Sequence, residues 1–186
     1  MYGLVNEAMR DMVVSRHGEP CWAEICGRVG VPSTEFVAMQ AYPDAMTYGL
    51  VGAASEVLAI PAGDLLRSFG DYWITFTAEQ GYGEMMDLFG KDLLSCLRNL
   101  NGMHAHMGVM MPELRPPRFE VTEREGSGVP VVELRYYSKR AGLMPFVLGL
   151  LEGLARKFGQ KAEIGHVGRA SEGPDSPEIF EIRLLA

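Results

Sequence analysis

Met111-Pro112-Glu113-Leu114-Arg115-Pro116-Pro117-Arg118-Phe119-Glu120-Val121-Thr122-Glu123 decides the fold, because the hydrophobic period changes within it. Its three prolines have no amide hydrogen to donate, so a helix entering this stretch ends there. Upstream, apolar residues recur three and four apart. The run from Lys91 to Met111 predicts a helix with the stripe Leu93, Leu94, Leu97, Leu100, Met103, Met107 and Met111, stopped by Pro112. Further back, Leu4, Val5, Ala8, Met9, Met12 and Val13 mark a first helix. Ala45 to Leu58 and Pro61 to about Ala78 mark two more, with Pro61 suited to a first helical position. Downstream the period drops to two. Arg118 to Glu123 and Val131 to Tyr137 predict strands joined across Glu125-Gly126-Ser127-Gly128. A helix from Leu143 to Phe158 follows. Two last strands, Ala162 to Val167 and Glu178 to Leu185, flank Glu172-Gly173-Pro174-Asp175. Helices followed by a mostly antiparallel sheet predict an α+β fold. Each half is small for a core of its own, so one domain with two lobes is expected.

Composition bounds the function. The chain has 186 residues, 47% hydrophobic and 22% charged, as a single globular domain does. Seventeen basic residues against 24 acidic ones leave a net charge of −7. That balance counts against nucleic acid and against an anionic membrane surface as partners. Cys21, Cys26 and Cys96 are odd in number and widely spaced, so they read as buried thiols in a reducing compartment. The N-terminus lacks the charged start and long apolar core of a signal peptide, and no run of about 18 apolar residues is present. A cytoplasmic location is expected.

Two constellations carry chemistry. His104 falls four residues after Leu100 and seven after Leu97, on the apolar stripe of its helix, whereas His106 points elsewhere. A buried imidazole must satisfy two ring nitrogens. It is either a core histidine bonded to backbone or an axial ligand to a metal whose body fills an apolar cavity. Tyr136, Ser138 and Arg140 alternate at a strand end, which places a phenol, a hydroxyl and a guanidinium fork on one face. That set suits a carboxylate, since arginine binds one with two parallel bonds. The other reading is a solvated strand edge. Together the two describe a flat apolar ligand with an acid edge and a metal that accepts imidazole, which is haem.

At these residues the chain resembles the H-NOX (haem nitric oxide/oxygen-binding) family, which includes the haem domain of soluble guanylate cyclase. The resemblance runs through Met1-Tyr2-Gly3-Leu4-Val5-Asn6, Phe69-Gly70-Asp71-Tyr72-Trp73 and Asn99-Leu100-Asn101-Gly102-Met103-His104. It continues through Leu114-Arg115-Pro116-Pro117, Tyr136-Tyr137-Ser138-Lys139-Arg140 and Leu148-Gly149-Leu150-Leu151-Glu152-Gly153. It is similar to the cyanobacterial-type members and the cyclase rather than to the oxygen-binding members from anaerobes. The resemblance implies one H-NOX domain over 1–186. A distal helical part would cover 1–60, and a proximal part with a four-stranded antiparallel sheet 61–186, with haem b (iron protoporphyrin IX) between them. It implies His104 as the proximal iron ligand, Tyr136, Ser138 and Arg140 as the propionate anchor, and Pro117 as the proline that bends the haem. The position of the distal tyrosine in oxygen-binding members is Phe146 here, which has no donor for bound dioxygen. Nitric oxide and carbon monoxide need a donor far less. Val5 (or Leu4), Met9 and Met144 are implied pocket walls, and Trp73 is either core or a second distal donor.

The resemblance therefore implies a nitric oxide and carbon monoxide sensor that excludes oxygen and signals by weakening the iron–His104 bond. It implies no enzyme activity. The chain shows no output domain, so a signalling partner is expected: a histidine kinase, a cyclic-di-GMP enzyme or a chemotaxis protein. The alternatives are a peroxidase-like haem enzyme, which would need a distal histidine or arginine, and a haem-free interaction module in which His104 is structural.

Overall fold

The computed structural model describes residues 1–33, 36–125, 129–173 and 175–185, with only the backbone of residues 81, 82, 84–86 and 125. In α1 (Gly3–His17), Leu4, Ala8, Met9, Met12 and Val13 turn inward at helical spacing. α2 (Glu19–Val29) was not expected; its buried residues are Trp22, Ile25 and Cys26, too short a stripe to show a period. Gly30 closes it with φ of 72°, a left-handed cap that suits glycine. α3 (Asp44–Leu58) and α4 (Ala62–Thr77) lie where the pattern put them. Pro61 stands just before α4 rather than inside it, its carbonyl accepting from the Leu65 amide at 3.0 Å. α4 runs into a π-helical turn (Ala78–Tyr82) and then α5 (Gly83–Phe89), neither of which has a periodic signature.

α6 (Leu93–Met110) begins with a reciprocal cap. The Asp92 carboxylate accepts from the Ser95 amide at 2.7 Å, and the Ser95 hydroxyl accepts from the Asp92 amide at 3.2 Å. Then come β1 (Arg118–Glu125), β2 (Pro130–Tyr137), α7 (Met144–Lys157), β3 (Ala162–Arg169) and β4 (Glu178–Leu184). The sheet has the order β1-β2-β4-β3, antiparallel throughout. The expected β1–β2 turn lies at residues 126–128, outside the described residues, as does Pro174 in the β3–β4 turn.

The chain forms two compact units, Met1–Phe69 and Gly70–Ala186. The first has a core around Ala8, Met9, Trp22, Ile25, Leu50 and Ala54, all essentially inaccessible. Phe36 meets Trp22 and Tyr42 edge-on, with ring centroids 6.4 and 5.3 Å away. In the second unit, Val132, Leu134, Phe180 and Ile182 from the inner sheet face join Leu93 and Leu97 of α6 and Leu151 of α7. Within it α4 and α7 approach backbone to backbone: a Cβ at Gly70 would strike the Phe146 carbonyl oxygen, and only glycine permits that approach. The break between units falls inside α4. No single helix among the described residues is long and apolar enough to cross a membrane.

Candidate functional site

Late in α6, His104 meets the first residues of β1. Its imidazole stacks on the Phe119 ring with centroids 5.8 Å apart and planes 12° from parallel. Phe119 is fixed by Asn101, three residues before His104 on the same helix. The Asn101 Nδ2 donates to the Phe119 carbonyl at 2.7 Å, and its Oδ1 accepts from the Phe119 amide at 2.9 Å. Two backbone-directed bonds thus stitch the helix that carries His104 to the sheet.

Burial pushes the His104 pKa below its ordinary value, with the Leu100 carbonyl acting weakly the other way. The ring is therefore neutral near pH 7. Its Nδ1 is buried and closes no hydrogen bond among the described residues. The Leu100 carbonyl one turn back acts on the ring, yet no full hydrogen bond closes at Nδ1, so the backbone satisfies this imidazole incompletely. A neutral imidazole is the form that binds metals. Among the described residues no group of three or more His, Cys, Asp and Glu is placed to hold an ion. A metal at His104 would bring its other ligands with it, as a porphyrin does.

Phe119 leads from His104 to the second constellation. Its ring lies 5.6 Å from that of Tyr136, which is 5% exposed. The Tyr136 hydroxyl is hydrogen-bonded to Ser138 and feels the charge of Arg140. Burial pushes its pKa up, and those two neighbours pull it partly back. The Arg140 amide donates to Ser138 Oγ at 3.1 Å, and its Nη1 donates to the Arg115 carbonyl at 2.8 Å. The three residues come together, but not by strand alternation as expected. β2 ends at Tyr137, which pairs with the first residue of β1, so 138–140 have no ladder partner and fold into a turn. Tyr137, on the other face as expected, donates its hydroxyl to Glu120 at 2.8 Å under the Arg118 guanidinium.

Pro117 is half-buried, two residues before Phe119. Phe146 is half-buried in the first turn of α7, at the crossing with α4. Met144 and Trp73 pack against the core of the second unit, with Trp73 also beside Phe76. Val5 and Met9 lie in the first unit, Val5 half-buried and Met9 1% exposed. His106 is exposed beside Phe89, and His17 is exposed. His166 is mostly exposed but bonds Glu178 at 2.7 Å. Cys26 and Cys96 are buried free thiols, Cys96 with its pKa raised to about 11 by burial, whereas Cys21 is only half-buried.

Sequence reasoning missed Asn101, Phe119 and the Arg115 carbonyl as parts of this site. Asn101 offered a signal, because asparagine inside a helix is favoured only where its amide finds a particular partner. The residues present fit a flat acid-edged metal ligand: an unpartnered imidazole, an aromatic floor and a hydroxyl–guanidinium edge stand side by side in one unit.

Comparison with known proteins agrees. The haem-NO-binding family profile matches residues 2–166. Soluble guanylate cyclase gcy-35 of Caenorhabditis elegans is 30% identical over 162 residues, 85% of this chain and 23% of that protein. The soluble guanylate cyclase subunit beta-2 of Rattus norvegicus is 33% identical over 94 residues, 50% of this chain and 13% of that protein. The chain thus spans about a quarter or less of these relatives. Among solved structures, an H-NOX protein from S. oneidensis in the Fe(II) state (a mutant form) superposes with a TM-score of 0.87 at 23% identity, covering 100% of this chain and 97% of that one. An oxygen-binding H-NOX domain in its oxygen complex gives 0.81 at 19%, covering 100% and 96%. At such identities these two show the fold. Domains of this kind are sensor modules rather than catalysts. With a profile matched over most of its length, the chain belongs to the haem-NO-binding (H-NOX) family.

Proposed function

We propose that the chain is a haem-based sensor of nitric oxide and carbon monoxide that excludes oxygen, with haem b held by His104 and by Tyr136, Ser138 and Arg140. One observation carries the reading: His104 is half-buried and neutral, its Nδ1 is shut off from solvent without a full hydrogen bond, and a single aromatic ring separates it from a trio suited to carboxylates. Haem, when bound, supplies a ferrous iron that takes up these gases, and nitric oxide there weakens the bond to the proximal imidazole.

The chain supplies the rest. Arg140 and the two hydroxyls orient the acid edge by charge-assisted bonds. Pro117 presses on the ligand from the start of β1. Phe146 offers no hydrogen to a partly negative bound dioxygen, so oxygen gains nothing that carbon monoxide lacks. Support for Met144 and Trp73 as apolar gas-pocket residues is their packing in the second unit; for Val5 and Met9 it is the resemblance alone. Asn101 and Phe119 link α6 to β1, so a shift of the helix, were His104 to lose its bond to the iron, would be transmitted to the sheet. The receiver is a signalling protein such as a histidine kinase, a cyclic-di-GMP enzyme or a chemotaxis protein, in the cytoplasm.

The test is His104→Ala. The wild-type chain is expected to purify with, or take up, haem and show its visible absorption. The ferrous spectrum should change with nitric oxide and with carbon monoxide but not with air. The variant is expected to retain haem only when imidazole is added. Normal retention without imidazole overturns the ligand assignment, and a wild-type protein that stays colourless with excess haem overturns the function.

A further inference from the structure

Glu178 opens β4 directly opposite Tyr136 of β2, and both are buried on the inner sheet face, Glu178 at 8% exposure. Side chains so paired lie within about 5.5 Å at Cβ. A buried carboxylate beside a group that is to receive carboxylates would repel them unless compensated. It has two partners: Arg169 Nε donates to Oε1 at 2.7 Å and brings a positive charge, and His166 Nε2 lies 2.7 Å from Oε2.

Strand alternation would put residues 166 and 169 on opposite faces. A bulge prevents that. His166 pairs with Phe180, Gly168 with Ile179 and Arg169 with Glu178, so Val167 is the extra residue and Arg169 is turned back to the face of His166. Gly168 carries φ of 128°, which a residue with a Cβ rarely adopts. The backbone is thus shaped to bring a guanidinium and an imidazole to one carboxylate. Burial alone would raise the Glu178 pKa, but Arg169 and His166 hold it below the ordinary value. Glu178 in turn pushes the Tyr136 pKa up, against the pull of Arg140.

We infer that Arg169, together with His166, screens the carboxylate anchor from the buried Glu178 charge beside Tyr136 and so lets the Tyr136–Ser138–Arg140 trio hold a ligand's acid edge. This rests on the reading of the trio given above. The charged and titratable groups around Glu178 are His166 and Arg169 of β3 and Tyr136 of β2, with Arg140 acting on Tyr136 from beyond β2.

The test uses the full chain loaded with haem b and follows transfer of haem to an excess of scavenging apo-globin. Arg169→Gln is expected to speed haem loss about two- to fivefold. The double variant Arg169→Gln, Glu178→Gln should return to the wild-type rate, and Glu178→Gln alone should lose haem no faster than wild type. A merely structural strut would leave the double variant as leaky as the single one. That result, or an unchanged rate in Arg169→Gln, overturns the inference. If these fail while the wild type holds haem through His104, the sensor reading stands and only this inference falls. A wild type that holds no haem sinks both.

Discussion

His104 and Glu178 are shifted in the same direction for different reasons, and each leaves a mark on stability. The folded pKa of His104 lies below its ordinary 6.5 because burial disfavours the charged ring. Between the two values the unfolded chain binds more protons, so stability falls as pH drops below about 6.5 and is unaffected by this ring above it. Glu178 is held below its ordinary 4.5, against its burial, by Arg169 and His166, so its contribution is full above that value and lost as pH falls through the folded one. Denaturant unfolding of the haem-free chain should show both stages. His104→Leu should remove the upper one and Glu178→Gln should shrink the lower one; an unaltered profile in the variants would contradict the assignments. At the same scale, Phe146→Tyr places a phenol donor at the proposed gas-facing position. The ferrous, haem-loaded variant is expected to acquire an oxygenated spectrum in air, and a spectrum that ignores air would remove Phe146 from that role.

At the scale of elements, α6 is the part whose position matters. Its start is tied by the Asp92–Ser95 box, its later part by Asn101 to Phe119, and its end by Pro112. Asp92→Ala should cost about 1 kcal/mol in unfolding free energy, the usual worth of such a cap, measurable by urea denaturation. The helix itself was legible from its stripe, and His104 from its place on it. The partner ring was not, because Phe119 lies beyond the proline-rich turn and reads locally as one more strand residue. The strands were legible from alternation, whereas the bulge in β3 was not: it shows only as glycines at 165 and 168, which alternation cannot tell from a loosened strand. The Tyr136–Ser138–Arg140 spacing was read as strand alternation, which holds only for the first of them, since the strand stops at Tyr137.

On the scale of the whole molecule, the anchoring residues all belong to the second compact unit: His104, Phe119, Tyr136, Ser138, Arg140 and the Glu178 clamp. Order and type of most elements, the change of architecture at the prolines and the choice of His104, Tyr136, Ser138 and Arg140 as the proposed ligand-holding residues came from the chain read in one dimension. They follow from local rules of period and proline chemistry that act over a few residues. The unpartnered nitrogen of His104, its stacking on Phe119, the stitch through Asn101 and the two partners closed on Glu178 join residues far apart in the chain or depend on burial. Those were decided only when hydrophobic collapse brought the helix onto the sheet, because water exclusion and cross-strand register belong to the folded molecule and not to any segment of it.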